Sequence, residues 1–95
     1  MPRKYETMFV IKPDLEQEKT AQLIDKFKGI IEDNNGEILE IDEWGKRRLA
    51  YEIEKIKEGY YVVVKFMAES SVAQELDRVF KITDDIMRHI VIRED

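Results

Sequence analysis

Apolar and polar side chains alternate from the start of the chain. Between Lys4 and Ile11, Tyr5, Thr7, Phe9 and Ile11 share one face while Met8 and Val10 share the other. A period of two in aromatic and β-branched residues predicts a strand. Pro13 and Asp14 interrupt it, and the spacing then lengthens. Ala21, Ile24, Phe27 and Ile31, with Leu23 and Ile30 beside them, recur at helical intervals, so a helix is expected from about Leu15 to Asp33 with Asp14 as its cap. Asn34, Asn35 and Gly36 tolerate positive φ and are expected to end this helix and reverse the chain.

From Glu37 to Ile53 the period returns to roughly two, which predicts one long strand that Gly45 interrupts with a bulge or bend. The charged segment Glu54 to Gly59 reads as the connection to a return strand over Tyr60 to Ala68, whose core face is Tyr60, Val62, Val64 and Phe66. Ser70 or Ser71 is the expected cap of a second helix with Val72, Leu76, Val79 and Phe80 on one stripe. Ile86 to Arg93 completes the pattern as a last strand. The order βαββαβ predicts an α+β, ferredoxin-like fold in which right-handed crossovers place both helices on one face of a four-stranded antiparallel sheet. Alternation then sends Met8, Val10, Tyr61, Val63 and Met67 to the uncovered face, an apolar surface that invites a partner. A charge at Val63 is accordingly expected to spoil partner binding and leave the fold intact.

The 95 residues suit a single domain over 1–95, too small for a large enclosed cavity. The absence of cysteine excludes a disulfide framework, a thiolate metal site and a cysteine nucleophile, and fits a reducing cytosol. The apolar runs are far shorter than a signal peptide core or the roughly 20 residues of a membrane span, so the chain is expected to stay in the cytoplasm. The net charge of -5 argues against nucleic-acid binding by overall attraction, which leaves local clustering to decide. Lys46, Arg47 and Arg48 are consecutive, and Arg3 adjoins Lys4.

Other chemistry is sparse. His89 is the single histidine and is poor material for a metal site, so a structural role is expected. Glu37, Glu40, Asp42 and Glu43 read as a solvated edge rather than an acid/base pair, because successive strand residues point to opposite faces. The Asn34-Asn35-Gly36 turn lacks a phosphate-loop pattern. Lys46, Arg47 and Arg48 beside Trp44 and Tyr51 are the best functional candidate, combining cations with aromatics able to stack on bases or arginines. The plainer alternative is that at least one arginine pairs with Glu37, Glu40 or Asp42 on its own surface.

The run Trp44-Gly45-Lys46-Arg47-Arg48-Leu49-Ala50-Tyr51-Glu52-Ile53, followed by Glu58-Gly59-Tyr60-Tyr61, closely resembles the signature and hairpin of the S-six family of bacterial small-subunit ribosomal proteins. Tyr5-Glu6 and Asp84-Asp85-Ile86-Met87-Arg88-His89 are similar to that family as well. The resemblance implies a structural, non-enzymatic protein without cofactor or metal. It implies binding to the central domain of small-subunit ribosomal RNA as a heterodimer with ribosomal protein S-eighteen, and suggests feedback binding to its own messenger RNA. By matched position, Lys46, Arg47 and Arg48 with Arg3, Arg88 and Arg93 form the expected RNA-facing set. Trp44, Tyr51, Tyr61 and Val63 form the expected partner-protein face. Two rivals remain: a free-standing interaction or regulatory module, and an acylphosphatase-like hydrolase. The hydrolase would need an anion cradle after the first strand, where Pro13 lacks an N–H and Asp14 adds negative charge.

Overall fold

The computed structural model describes the backbone of residues 1–53 and 56–94, and the side chains of 1–49 and 57–94. Each stretch of period two becomes a strand: β1 (Arg3–Ile11), β2 (Glu37–Ile53), β3 (Ile56–Ala68) and β4 (Ile86–Arg93). The helical spacings become α1 (Gln17–Asp33) and α2 (Ser70–Ile82). The strands form a single antiparallel sheet in the order β2-β3-β1-β4, the expected ferredoxin-like arrangement. Tyr5, Thr7, Phe9 and Ile11 of β1 and Val62, Val64 and Phe66 of β3 turn towards the helices and are buried. Ile24, Phe27 and Ile31 of α1 and Val72, Leu76, Val79 and Phe80 of α2 close over them. At the centre Phe27 and Phe80 lie 4.4 Å apart, with Phe9 at 5.2 Å and 5.0 Å from them, tilted as aromatic quadrupoles prefer. Thr7 is admitted to this core because its hydroxyl donates to the Ile90 carbonyl at 2.8 Å.

Both helix starts differ from expectation. The N-cap of α1 is Glu16, without a side-chain cap bond, and Asp14 stays outside the helix. Leu15 packs against the core from the preceding turn, and the helix can begin only after that anchor. In α2 the serines lie inside the first turn and Glu69 is the N-cap. The Glu69 carboxylate reaches the amino terminus of Met1 at 3.1 Å instead of the helix N–H groups. The end of α1 follows expectation: Asn35 takes φ 66°. The Gly36 N–H donates to Ile31 O at 2.8 Å and the Asn35 N–H to Glu32 O, a Schellman closure. A Cβ on Gly36 would come within 2.7 Å of the Ile31 carbonyl oxygen, so the sequence needs glycine there for space.

The segment expected to link β2 and β3 belongs largely to the ladder itself. Lys46 pairs with Tyr60, Arg47 with Gly59, Arg48 with Glu58 and Ile53 with Ile56. Charged alternation disguises the strand because Lys46, Arg47, Arg48, Lys57 and Glu58 are all exposed. The long hairpin accounts for the elongated shape, 42 × 25 × 23 Å.

Candidate nucleic-acid interface

The site is built on an irregularity in β2. Glu43 pairs with Val62 and Gly45 with Tyr61, so Trp44 is an extra residue between two ladder positions. Gly45 makes this possible by adopting φ 76°; nothing lies within 4 Å of a Cβ placed on it, so the requirement is conformational. The bulge lays the Trp44 ring parallel to Tyr61, at 6.1 Å between centroids and 14° between planes. Trp44 Nε1 donates to Asp42 Oδ2 at 2.9 Å, which fixes the indole although the residue is 43% exposed.

The three cations follow directly. Arg47 lies opposite Gly59 on the same face of the sheet as Tyr61, whereas Lys46 lies opposite Tyr60 on the helix side. Arg47 and Arg48 join Asp42, Glu43, Trp44 and Tyr61 around an open, shallow depression. Lys46 instead faces Lys12, Pro13, Glu43 and Tyr60 at the mouth of the β1–α1 turn. There the Tyr60 hydroxyl donates to Glu43 Oε1 at 2.9 Å, and burial, together with the neighbouring Glu43 carboxylate, raises its pKa. Among the described residues no ion pair involves Lys46, Arg47 or Arg48, so neither arginine pairs with Glu37, Glu40 or Asp42. Asp42 is occupied by the indole instead.

The remaining RNA-facing candidates are not gathered there. Arg3, opposite Ala68, and Arg93, opposite Tyr5, lie at the end of the sheet remote from the hairpin. Arg88 sits on β4, separated from β2 by β3 and β1, and lines a second hollow with Met8, Val10, Tyr61 and Ile90. Arg88 and Arg93 each already take part in an interaction within the chain.

Of the partner-face candidates, Trp44 and Tyr61 are brought together, and the Tyr51 side chain lies outside the described residues. Val63 points to the uncovered face as expected but is only 8% exposed, flanked by Met8 of β1 and Asp42 of β2. A charge there would be enclosed by the chain itself, which weighs against the expectation that the fold would tolerate one. Ile90 and Ile92, 44% and 45% exposed, are open-face residues outside the expected partner set. Their alternation with His89 and Val91, which face the helices, was the available signal. His89 does take a structural place: its Nε2 shares a hydrogen bond of 2.9 Å with Asp77, and its ring stacks on Phe80. In the turn after β1, the Lys12 N–H is spent on the Asp85 carbonyl at 2.9 Å, which leaves that loop a poor anion cradle.

Three comparisons bear on this geometry. The profile of the family described as ribosomal protein S6 matches residues 4–93. The small ribosomal subunit protein bS6 of Carboxydothermus hydrogenoformans is 58% identical over 95 residues, covering 100% of this chain and 99% of that protein. The bS6 protein of Desulforudis audaxviator is 61% identical over 93 residues, 98% of this chain and 99% of its own. Among solved structures, 30S ribosomal protein S6 from Thermotoga maritima superimposes with a TM-score of 0.92 at 36% identity, over 99% of this chain and 89% of that one.

Proposed function

The chain belongs to the ribosomal protein S6 family and is therefore a non-enzymatic component of the bacterial small ribosomal subunit, in the cytoplasm; from that premise we propose that it binds the central domain of small-subunit ribosomal RNA through the β2–β3 hairpin, in company with ribosomal protein S-eighteen. The observation that carries the proposal is the exposed run Lys46, Arg47 and Arg48, unpaired with any described acidic group on a chain whose net charge is -5. Cations without an internal partner exchange only water and counterions for phosphate, so binding RNA releases ions at little cost in broken internal bonds. Arg3, Arg88 and Arg93 are secondary anchors in this reading, spread over the opposite edge and end of the sheet. The uncovered face offers S-eighteen a surface of Met8, Tyr61, Ile90 and Ile92, in which Val63 is the floor.

The test is a salt titration of binding to a central-domain RNA fragment with S-eighteen present. Arg47→Ala/Arg48→Ala should weaken binding across RNA sequences and reduce the slope of log K against log salt by about 1 for each phosphate that the variant no longer neutralises. Thermal stability should move by less than about 0.5 kcal/mol, since surface changes away from packing rarely do more. An unchanged slope and affinity would remove this hairpin from the interface.

A further inference from the structure

We propose that Trp44, backed by Tyr61, is a stacking platform for one unpaired RNA base whose flanking phosphates are met by Arg47 and Arg48. The inference rests on the RNA-binding reading above and adds to it the form of RNA taken, a single-stranded or bulged nucleotide instead of a helix.

Four observations converge on it. The indole is 43% exposed and the bulge at Gly45 holds it out on an edge strand, where a planar ligand can approach from solvent. The ring is fixed before any ligand arrives, by the hydrogen bond to Asp42 at 2.9 Å and by the parallel Tyr61 ring at 6.1 Å. A rigid aromatic loses little conformational freedom on binding, so more of the stacking attraction survives as affinity. The neighbouring cations are two arginines, which grip phosphate through several donors and stack on bases where lysine cannot. Finally, the depression is shallow and open and carries two carboxylates, Asp42 and Glu43, each already accepting a hydrogen bond within the chain. An apolar protein side chain would find no pocket to fill there, whereas a base requires only a π-face and a nearby cation. A paired helix presents its bases edge-on and stacked on each other, so only an unpaired nucleotide can use this surface.

Trp44 is the only tryptophan of the chain, which makes the test direct. Indole fluorescence, taken as the difference against Trp44→Phe, is followed while the full chain is titrated with a short unpaired oligoribonucleotide. The titration is repeated with a fully paired RNA duplex carrying as many phosphates, with the central-domain fragment, and with S-eighteen alone. The unpaired oligonucleotide and the fragment should quench the indole and the paired duplex should not. Trp44→Leu should weaken binding of the unpaired RNA about 5- to 150-fold without altering the salt slope, and Trp44→Phe should restore most of the loss. If RNA binds with the expected salt slope while the fluorescence stays constant and Trp44→Leu is neutral, the platform is refuted and the RNA-binding reading stands. If S-eighteen alone buries and shifts the indole and RNA adds nothing, the platform is refuted in favour of a protein partner. If no RNA form binds with or without S-eighteen, both readings fall together.

Discussion

The two faces of the sheet are written in the same alternating code and end in different physical states. On the helix side Phe9, Phe66 and Val62 have no exposed surface, because two helices complete their surroundings. On the other side Val10 and Val63 are 3% and 8% exposed with no layer above them, sheltered by neighbours in the sheet, while Ile90 and Ile92, on the edge strand β4, remain nearly half exposed. Alternation therefore decides direction only. Burial depends on what stands beside and above each side chain, and an uncovered face can be dry at its centre and wet at its rim.

The comparison can be broken from the helix side first. Phe9→Ala empties the middle of the Phe9, Phe27 and Phe80 cluster and should cost about 3–5 kcal/mol in chemical denaturation. Val63→Glu comes next, at roughly 3 kcal/mol, since it places a carboxylate where only 8% of the residue reaches water. Its counterpart Ile90→Glu, on the same face at 44% exposure, should leave the unfolding midpoint nearly unchanged and weaken only the pull-down of S-eighteen. Equal costs for the two would mean that the open face has no dry centre.

Gly59 sharpens the same point on a smaller scale. A Cβ there would lie 2.2 Å from Val10 Cγ1, so Val10 occupies the notch that the missing side chain leaves on the uncovered face. Gly59→Ala should destabilise by about 1–3 kcal/mol through overpacking, and Val10→Ala in the same protein should recover part of it in a double-mutant cycle. Additive costs would show that the two residues do not share that space.

The smallest effect lies on the solvent side of α2. The Lys81 ammonium, bonded to Asp77 at 3.0 Å, lowers the carboxyl pKa; burial opposes the shift, and the hydrogen bond to His89 adds to it. A lowered folded-state pKa contributes stability that is present above the ordinary value of 3.8 and lost as pH falls through the folded value. Asp77→Asn should therefore lower the melting temperature slightly at neutral pH, and the difference from the parent should vanish in acid below that window. A difference that persists unchanged at low pH would assign the effect to shape and not to charge.

Several features were decided by the sequence itself, because they depend on residues close along the chain. Period two and period 3.6 marked all the elements, Asn35 and Gly36 ended α1 through a local left-handed turn, and Gly45 announced the bulge that now carries Trp44. The consecutive cations and their signature pointed to the family, since residue types at fixed spacing survive without any knowledge of the fold. Tertiary structure alone decided the rest. Helix caps moved because Leu15 is anchored in the core and Glu69 is drawn to an amino terminus 68 positions away. Arg88 and Arg93 separated from Lys46, Arg47 and Arg48 because the strand order puts β4 at the far edge from β2, and Arg3 because its pairing with Ala68 puts it at the end of the sheet remote from the hairpin. Val63 became floor and Ile90 rim because strand order determines which residues gain neighbours on both sides, and no pattern within a single strand contains that information.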